Sequence, residues 1–149
     1  MSHDNAMYSD LKLQHISLDD MMNRIKDCLE NEFDLVVAVG RGGVLPGYLA
    51  SRYLGVPLEI IDVRYRDDTH TPMYPEPRAQ KPLGFDPSGK RVLLTDDVSN
   101  SGATLRKASE LLEGGKITTL VISGKGDFSL YGPHNRCIRW PWEDETGTA

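Results

Sequence analysis

Residues 91–105 read RVLLTDDVSNSGATL, and the change from a strand pattern to a helix pattern in this stretch decides the fold. The apolar run Arg91–Thr95 predicts a buried strand, and the pattern over Ala103–Glu113 predicts a helix soon after it. Two adjacent acids, Asp96 and Asp97, stand at the end of the strand. A buried strand that passes through a short polar loop into a helix is typical of a parallel βαβ unit.

Strands and helices alternate through much of the chain. Ser17 with Asp20 three residues later is typical of a helix cap, and Gly55 and Pro57 end a second helical pattern. In chain order the remaining predicted elements are a helix over Ser17–Glu32, a strand over Asp34–Val39, a helix through Leu54, and strands over Leu58–Val63 and Ile117–Ser123. This order predicts an α/β fold, with a mostly parallel central sheet flanked by helices.

Residues 66–87 interrupt this alternation with a polar stretch that shows no periodicity. Five of the nine prolines lie in it, which predicts a mobile loop. The two tryptophans, Trp140 and Trp142, stand near the C-terminus and indicate that this end packs over another part of the molecule. We therefore expect a single domain over 1–149 with a small C-terminal hood, a flexible segment 1–10 and a frayed tail 143–149.

Composition narrows the class of protein. The chain has 149 residues, a formal net charge of −5 and two cysteines, Cys28 and Cys137. An acidic chain is disfavoured as a nucleic-acid binder, because contacts to phosphate backbones need a basic field. The longest apolar run, Leu35–Val39, is too short to span a bilayer, and the N-terminal residues do not resemble a signal peptide. We therefore expect a cytoplasmic protein with no nucleic-acid or membrane partner.

The loop after the acids is suited to an anion. Backbone amides at the start of the following helix point outward, and Ser99, Ser101 and Thr104 add hydroxyl donors. Gly102 allows the backbone to approach the anion closely. Asp96 and Asp97 can accept hydrogen bonds from sugar hydroxyls or hold a hydrated Mg²⁺. A simpler alternative is that the acids only cap the next helix, since carboxylates are favoured there.

The whole pattern over residues 91–105 closely resembles the 5-phosphoribosyl-1-pyrophosphate motif of the type I phosphoribosyltransferases. The resemblance implies Mg²⁺ as cofactor and this pyrophosphate as donor, with Asp96 and Asp97 at the ribose and the metal. It also implies a phosphate loop, which we define as Val98–Thr104, around the 5-phosphate. The residues that it implies for this role are Val98, Ser99, Asn100, Ser101, Gly102, Ala103 and Thr104.

A second motif precedes the helix that ends at Leu54. Gly40, Arg41, Gly42 and Gly43 resemble the family's pyrophosphate-binding loop, which often has an unusual backbone and an arginine. Physically, successive glycines allow close approach, and a guanidinium is a forked cation suited to phosphate oxygens. We call these four residues the glycine-rich loop. The resemblance also assigns residues 66–87 to the loop that closes over the reacting centre.

Several positions bear on the acceptor base, and the chain is most similar here to the xanthine-guanine and hypoxanthine (6-oxopurine) enzymes. Lys125 stands where those enzymes recognise the exocyclic oxygen, and Ile138 stands where an isoleucine covers the base. Cys137 stands where a stacking aromatic is expected, so either Trp140 takes over the stacking or Cys137 leaves a different pocket. Asn100 stands where an aspartate usually acts as general base.

The function implied is transfer of a phosphoribosyl group to a nucleobase, with Asp96, Asp97, Arg41 and Asn100 as the catalytic residues. A 6-oxopurine is the expected acceptor, with a nucleoside monophosphate as product in purine salvage. A different base and a non-catalytic nucleotide-binding regulator with the same fold are the alternatives. The resemblance also favours a homodimer or homotetramer.

Overall fold

The computed structural model describes residues 13–30, 32–64, 78–79, 83–132 and 137–139, the side chains of 13–15, 64, 78–79 and 137–139 apart. The described part contains three helices and eight strands. No helix in it is long and apolar enough to cross a membrane. In chain order the elements are β1 (Leu13–His15), α1 (Leu18–Cys28), β2 (Leu35–Gly40), α2 (Val44–Leu54), β3 (Leu58–Arg64), β4 (Arg78–Ala79), β5 (Arg91–Ser99), α3 (Ala103–Leu111), β6 (Lys116–Gly124), β7 (Phe128–Ser129) and β8 (Cys137–Arg139).

Six of these strands form one sheet in the order β4-β3-β2-β5-β6-β7. All of the neighbouring pairs are parallel except β3 with β4, which is antiparallel. In the centre of the sheet Ala38 lies opposite Thr95, and Thr95 lies opposite Leu120. The predicted α/β fold with a mostly parallel central sheet is therefore confirmed.

Helices cover both faces of this sheet. Met21 and Ile25 of α1 and Ala50 of α2 pack in one buried cluster with strand residues that include Leu93. Leu105 and Ala108 of α3 belong to a second cluster on the opposite face, with strand residues that include Leu94. Because side chains alternate along a strand, each central strand contributes to both cores.

Helix α1 begins as its sequence predicts and ends earlier. The Ser17 hydroxyl accepts a hydrogen bond from the Asp20 amide at 3.0 Å, which is the predicted cap. The helix ends at Cys28 instead of Glu32, because Leu29 adopts an extended backbone. Leu29 is buried in the core, so tertiary packing of this side chain outweighs the helical pattern that continues beyond it.

Part of the predicted loop 66–87 has defined structure. Arg78–Ala79 forms β4, and Leu83 and Phe85 pack against the second core cluster. These two apolar side chains hold the last residues of the segment on the domain. The rest of the segment lies outside the described residues, so its mobility stays a prediction.

A separate two-stranded sheet joins the two ends of the described chain. Strand β8 pairs in parallel with β1, and Gln14 lies opposite Ile138. The segment predicted as a C-terminal hood is thus paired with N-terminal residues, a contact that the sequence did not indicate. The predicted flexible segment 1–10 and frayed tail 143–149 lie outside the described residues.

An ion pair joins the starts of two central strands and predicts a pH effect. Arg91 donates from its backbone N and from Nε to Asp34 Oδ2, at 2.9 and 3.1 Å, and from Nη2 to Oδ1 at 3.0 Å. These hydrogen bonds from Arg91 lower the pKa of Asp34 to about 2. A carboxyl with a lowered folded-state pKa stabilises the fold above its unfolded pKa and loses this contribution as the pH falls.

We expect Asp34→Asn to lower the free energy of unfolding at neutral pH and to reduce its loss between about pH 4 and pH 2. Urea unfolding measured across this pH range checks the expectation. Glu113→Gln is the control, because it removes an exposed carboxylate elsewhere on the surface. Equal pH profiles for wild type and Asp34→Asn would show that the ion pair adds no stability.

Candidate functional site

The carboxyl ends of three adjacent strands bring the predicted site together. Strand β2 ends at Gly40, β5 at Ser99 and β6 at Gly124, and β5 lies between the other two. All three run in parallel, so the segments that follow them emerge at the same edge of the sheet. The glycine-rich loop, the phosphate loop and Lys125 are those segments.

The glycine-rich loop is held directly against β5. The Thr95 hydroxyl donates to the Gly43 carbonyl at 2.8 Å, and the Gly43 amide donates to the Val39 carbonyl at 2.7 Å. A Cβ on Gly43 would overlap the backbone carbonyl of Thr95, so this position accepts only glycine. The Gly40–Arg41 peptide bond is cis, an unusual backbone of the kind that the resemblance implies. Arg41 lies exposed at the tip of the loop.

The two acids differ in their surroundings. They follow each other in a strand, so they project to opposite faces, and Asp96 is 8% exposed while Asp97 is half-buried. The Asp97 carboxylate lies where a Cβ of Gly42 would be. Asp97 therefore bridges the end of β5 to the glycine-rich loop.

Burial also separates the two acids electrostatically. Loss of solvation raises the pKa of Asp96 well above its ordinary value, and the nearby charge of Asp97 raises it further. The carboxylates accept hydrogen bonds from the next backbone amides, Asp96 from Asp97 N at 2.8 Å and Asp97 from Val98 N at 2.7 Å. Neither acid caps α3, so the capping alternative for this pair is wrong.

The phosphate loop begins inside the strand. Val98 and Ser99 still pair with β6, so β5 continues four residues past the predicted end at Thr95. Asn100 and Ser101 are exposed, and Gly102 has a left-handed backbone with φ 83°. The Ser101 hydroxyl accepts from the Ala103 amide at 3.2 Å.

The start of α3 has the properties of an anion site. Its N-cap residue, Gly102, has no side chain to accept from the first-turn amides, and the first turn contains no acid. Apart from the Ala103 amide, which donates to the Ser101 hydroxyl, those amides are left to an outside acceptor, and they carry the positive end of the helix dipole. Ala103 and Thr104, at this helix start, are half-buried. The Ser99 hydroxyl is buried and has no hydrogen-bond partner in the described part of the chain.

The predicted base-binding residues are only partly described. The Lys125 amide donates to the Ser99 carbonyl at 2.8 Å, so Lys125 starts beside the phosphate loop, with its side chain exposed. Ile138 lies in the middle of β8, and its side chain is outside the described residues, as is Trp140. The structure therefore brings Lys125 to the site and leaves the roles of the other two as predictions.

The acids were also predicted to hold Mg²⁺. Across residues 13–30, 32–64, 78–79, 83–132 and 137–139 no group of three or more His, Cys, Asp or Glu side chains could hold a metal ion. Mg²⁺ commonly keeps several waters and binds one or two carboxylates together with substrate phosphates. The pair fits that mode, with the half-buried Asp97 next to solvent and Asp96 behind it.

Sequence reasoning missed several residues that shape this edge. Gly124 has φ 103°, and a Cβ there would overlap the Ser99 carbonyl, so it lets β6 and β5 end side by side. Asp127 accepts from the Thr119 amide at 2.9 Å and ties down the turn that contains Lys125. Arg106 was also missed. A glycine directly after an apolar strand is a sequence signal for a strand end, and it could have identified Gly124. No sequence feature indicated the roles of Thr119 and Asp127.

A model of the phosphoribosyl transferase domain family matches residues 7–123. The chain belongs to this family. The match includes both loops and the two acids, and it confirms the family and the enzyme class that the sequence implied. The phosphoribosyltransferase motif thus coincides with the edge where the three strands end.

Two relatives of this chain are named for different bases. The xanthine-guanine phosphoribosyltransferase of Chromohalobacter salexigens is 30% identical over 120 residues, which are 77% of this chain and 72% of that protein. The orotate phosphoribosyltransferase of Sulfurisphaera tokodaii is 29% identical over 106 residues, 69% of this chain. The matched region spans only 50% of the orotate enzyme.

Solved structures share the fold over most of the chain. The purine phosphoribosyltransferase from Pyrococcus horikoshii has a TM-score of 0.72 and 26% identity, and covers 89% of this chain and 95% of its own. The xanthine-guanine-hypoxanthine phosphoribosyltransferase of Helicobacter pylori has a TM-score of 0.65 at 16% identity, and covers 90% of this chain and 94% of its own. The type I phosphoribosyltransferase fold is therefore confirmed.

Proposed function

We propose that this protein transfers the phosphoribosyl group of 5-phosphoribosyl-1-pyrophosphate to a 6-oxopurine, releasing pyrophosphate and a nucleoside monophosphate for purine salvage. The contact between Asp97 and Gly42 carries the proposal. It fixes the end of β5 against the glycine-rich loop, so that two anion-binding backbones stand on either side of a carboxylate. The phosphate loop, the carboxylate and the glycine-rich loop thus follow each other in the same order as the 5-phosphate, the ribose hydroxyls and the pyrophosphate of the donor.

Each part of the donor then has a partner. The phosphate loop takes the 5-phosphate, Asp97 accepts from the ribose hydroxyls, and Arg41 with the loop amides takes the pyrophosphate. Mg²⁺, held by the acids and the donor, would supply positive charge to the leaving group. Catalysis by these residues is mainly orientation and charge stabilisation, since the transferred carbon becomes oxocarbenium-like as pyrophosphate leaves.

The choice of base rests on Lys125 and on the relatives. The backbone amide of Lys125 is hydrogen-bonded to Ser99, so the ammonium group of Lys125 is available beside the phosphate loop. It can donate to a carbonyl oxygen such as that of a 6-oxopurine. The xanthine-guanine relative supports this choice. Orotate is the alternative that the other relative favours, and the amide of Asn100 in place of a carboxylate agrees with a base that needs no general base there.

Pyrophosphate release tests the proposal. Hypoxanthine, guanine, xanthine, adenine and orotate are supplied in turn with the donor and Mg²⁺. We expect turnover with at least one 6-oxopurine, and a higher KM for it in Lys125→Ala. Lys116→Ala, which removes an exposed lysine at the opposite end of β6, is the control. Turnover with orotate alone would overturn the 6-oxopurine assignment, and binding without turnover of any base would favour a regulator.

Arg41→Ala should separate the two phosphate sites. We expect the Kd for the donor to rise roughly tenfold, because a charge-assisted contact to the leaving group is lost. The Kd for a nucleoside monophosphate, which has no pyrophosphate, should stay near the wild-type value. Calorimetric titration with both ligands measures this, and Arg52→Ala in the last turn of α2 controls for the loss of charge. Equal losses for both ligands would mean that Arg41 shapes the loop and does not contact pyrophosphate.

A further inference from the structure

Arg106, which neither the motif nor the proposed function includes, lies over the start of α3. It stands four residues after the N-cap Gly102, and its backbone amide donates to the Gly102 carbonyl at 2.9 Å. Side chains in helices lean toward the N-terminus, so the guanidinium reaches back over the phosphate loop. Its Nη1 donates to the Ser101 carbonyl at 3.1 Å.

No acid within the described part of the chain pairs with this guanidinium. The neighbouring cation behaves differently, since Lys107 Nζ lies 3.8 Å from Glu110 Oε2. Arg106 is exposed, and its single contact to Ser101 uses one of five N–H donors. The other N–H donors of the guanidinium make no hydrogen bond to the described residues.

The position of this cation is electrostatically unfavourable by itself. The N-terminal end of a helix carries partial positive charge, and acids, not bases, are favoured there. The first turn of α3 contains no acid, and its N-cap residue, Gly102, has no side chain. A guanidinium held over such an end gains from an anion placed between them, because the anion is attracted by both.

We propose that Arg106 binds the 5-phosphate of the donor and of the product from outside the phosphate loop. This inference rests on the proposed function, since it requires a ligand with a 5-phosphate. One N–H of the guanidinium holds the Ser101 carbonyl, and others donate to phosphate oxygens. Arg106 thus contacts both the backbone of the phosphate loop and the phosphate that the loop binds.

Three variants separate charge from shape. Arg106→Gln keeps an N–H donor on a shorter side chain and has no charge, and Arg106→Lys keeps a cation without the fork. Lys107→Gln is the matched control on the same helix. Calorimetry at fixed low salt measures the Kd of guanosine 5-monophosphate and of ribose 5-phosphate, and thermal unfolding without ligand measures stability.

We expect Arg106→Gln to weaken both phosphate ligands about fivefold, Arg106→Lys to weaken them less, and Lys107→Gln to bind like wild type. Because the second pKa of the phosphate is near 6, wild-type affinity should fall below that pH more steeply than that of Arg106→Gln. Wild-type affinity in Arg106→Gln would overturn the inference and leave Arg106 a purely structural role. Should that variant unfold, an Arg106→Lys protein that binds both phosphate ligands with wild-type affinity overturns it equally. No binding by the wild type would instead refute the proposed function.

Discussion

Gly42→Ala should reduce kcat/KM for phosphoribosyl transfer by about 100-fold while the protein stays folded. The added Cβ would coincide with the carboxylate of Asp97, so one of the two must move. The Asp97 carboxylate is the end of a short side chain and can rotate, whereas the contact between Gly43 and Thr95 fixes the loop backbone. A carboxylate displaced by an ångström or more no longer meets the ribose, and a misplacement of that size typically costs a factor near 10².

Two other glycines make this prediction specific. Gly43→Ala places its Cβ on the backbone carbonyl of Thr95 and 2.9 Å from the Val39 amide nitrogen, which cannot move without disrupting the sheet. We expect that variant to lose its fold. Gly84→Ala meets nothing within 4 Å and should leave both activity and stability unchanged. Steady-state kinetics with the donor, beside thermal unfolding, distinguishes the three. Wild-type kinetics in Gly42→Ala would show that the contact with Asp97 is not needed for catalysis.

The main elements of the fold could be predicted because each has a strong local pattern. β2, β5 and β6 are apolar runs buried on both faces, and α1 and α3 present regular apolar stripes to the core. Strands of two or three residues, such as β4 and β7, contain too few residues to show a period. β8 exists only through its pairing with β1, more than 100 residues away in the chain, so no local signal could indicate it.

The end of β5 shows why the predicted strand boundary was wrong at the candidate site. Aspartate, serine and asparagine disfavour strands, so the sequence predicts that the strand ends at Thr95. Pairing with β6 carries it on to Ser99, because main-chain hydrogen bonds to a neighbouring strand outweigh this weak preference. The consequence for the site is that Asp96 and Asp97 occupy opposite faces of the strand, with Asp96 buried and Asp97 half-buried against Gly42.

The residues of the two loops could be predicted from their motifs, but the contacts that join these segments could not. The contacts of Asp97 with Gly42 and of Thr95 with Gly43 join segments more than 50 residues apart. Arg106 looks like any exposed helical arginine in the sequence, and only its contact with Ser101 distinguishes it. Spacing along the chain predicts which groups are present, and the sheet decides which of them meet.

Asn100→Asp should raise kcat with hypoxanthine or guanine by roughly tenfold or more. Asn100 lies exposed one residue beyond Ser99, whose carbonyl accepts from the amide of Lys125, the residue proposed to contact the base. If a 6-oxopurine attacks through N9, a proton leaves N7 as the new bond forms. The amide can orient this N–H but cannot take the proton. A positioned carboxylate can, and general bases typically contribute a factor of roughly 10²–10⁴.

The added charge works against this gain and sets its pH dependence. Asp96, Asp97 and the donor phosphates are anionic neighbours, which would raise the pKa of the new carboxyl, while bound Mg²⁺ offsets part of that effect. A tenfold gain needs only about 1.4 kcal/mol of barrier, well within the contribution of a base. The rate of Asn100→Asp should therefore rise with pH as the carboxyl ionises, a rise absent from the wild type and from the control Asn100→Ala. A variant slower with every 6-oxopurine, in a protein that still uses another base well, would refute the 6-oxopurine assignment and leave only phosphoribosyl transfer.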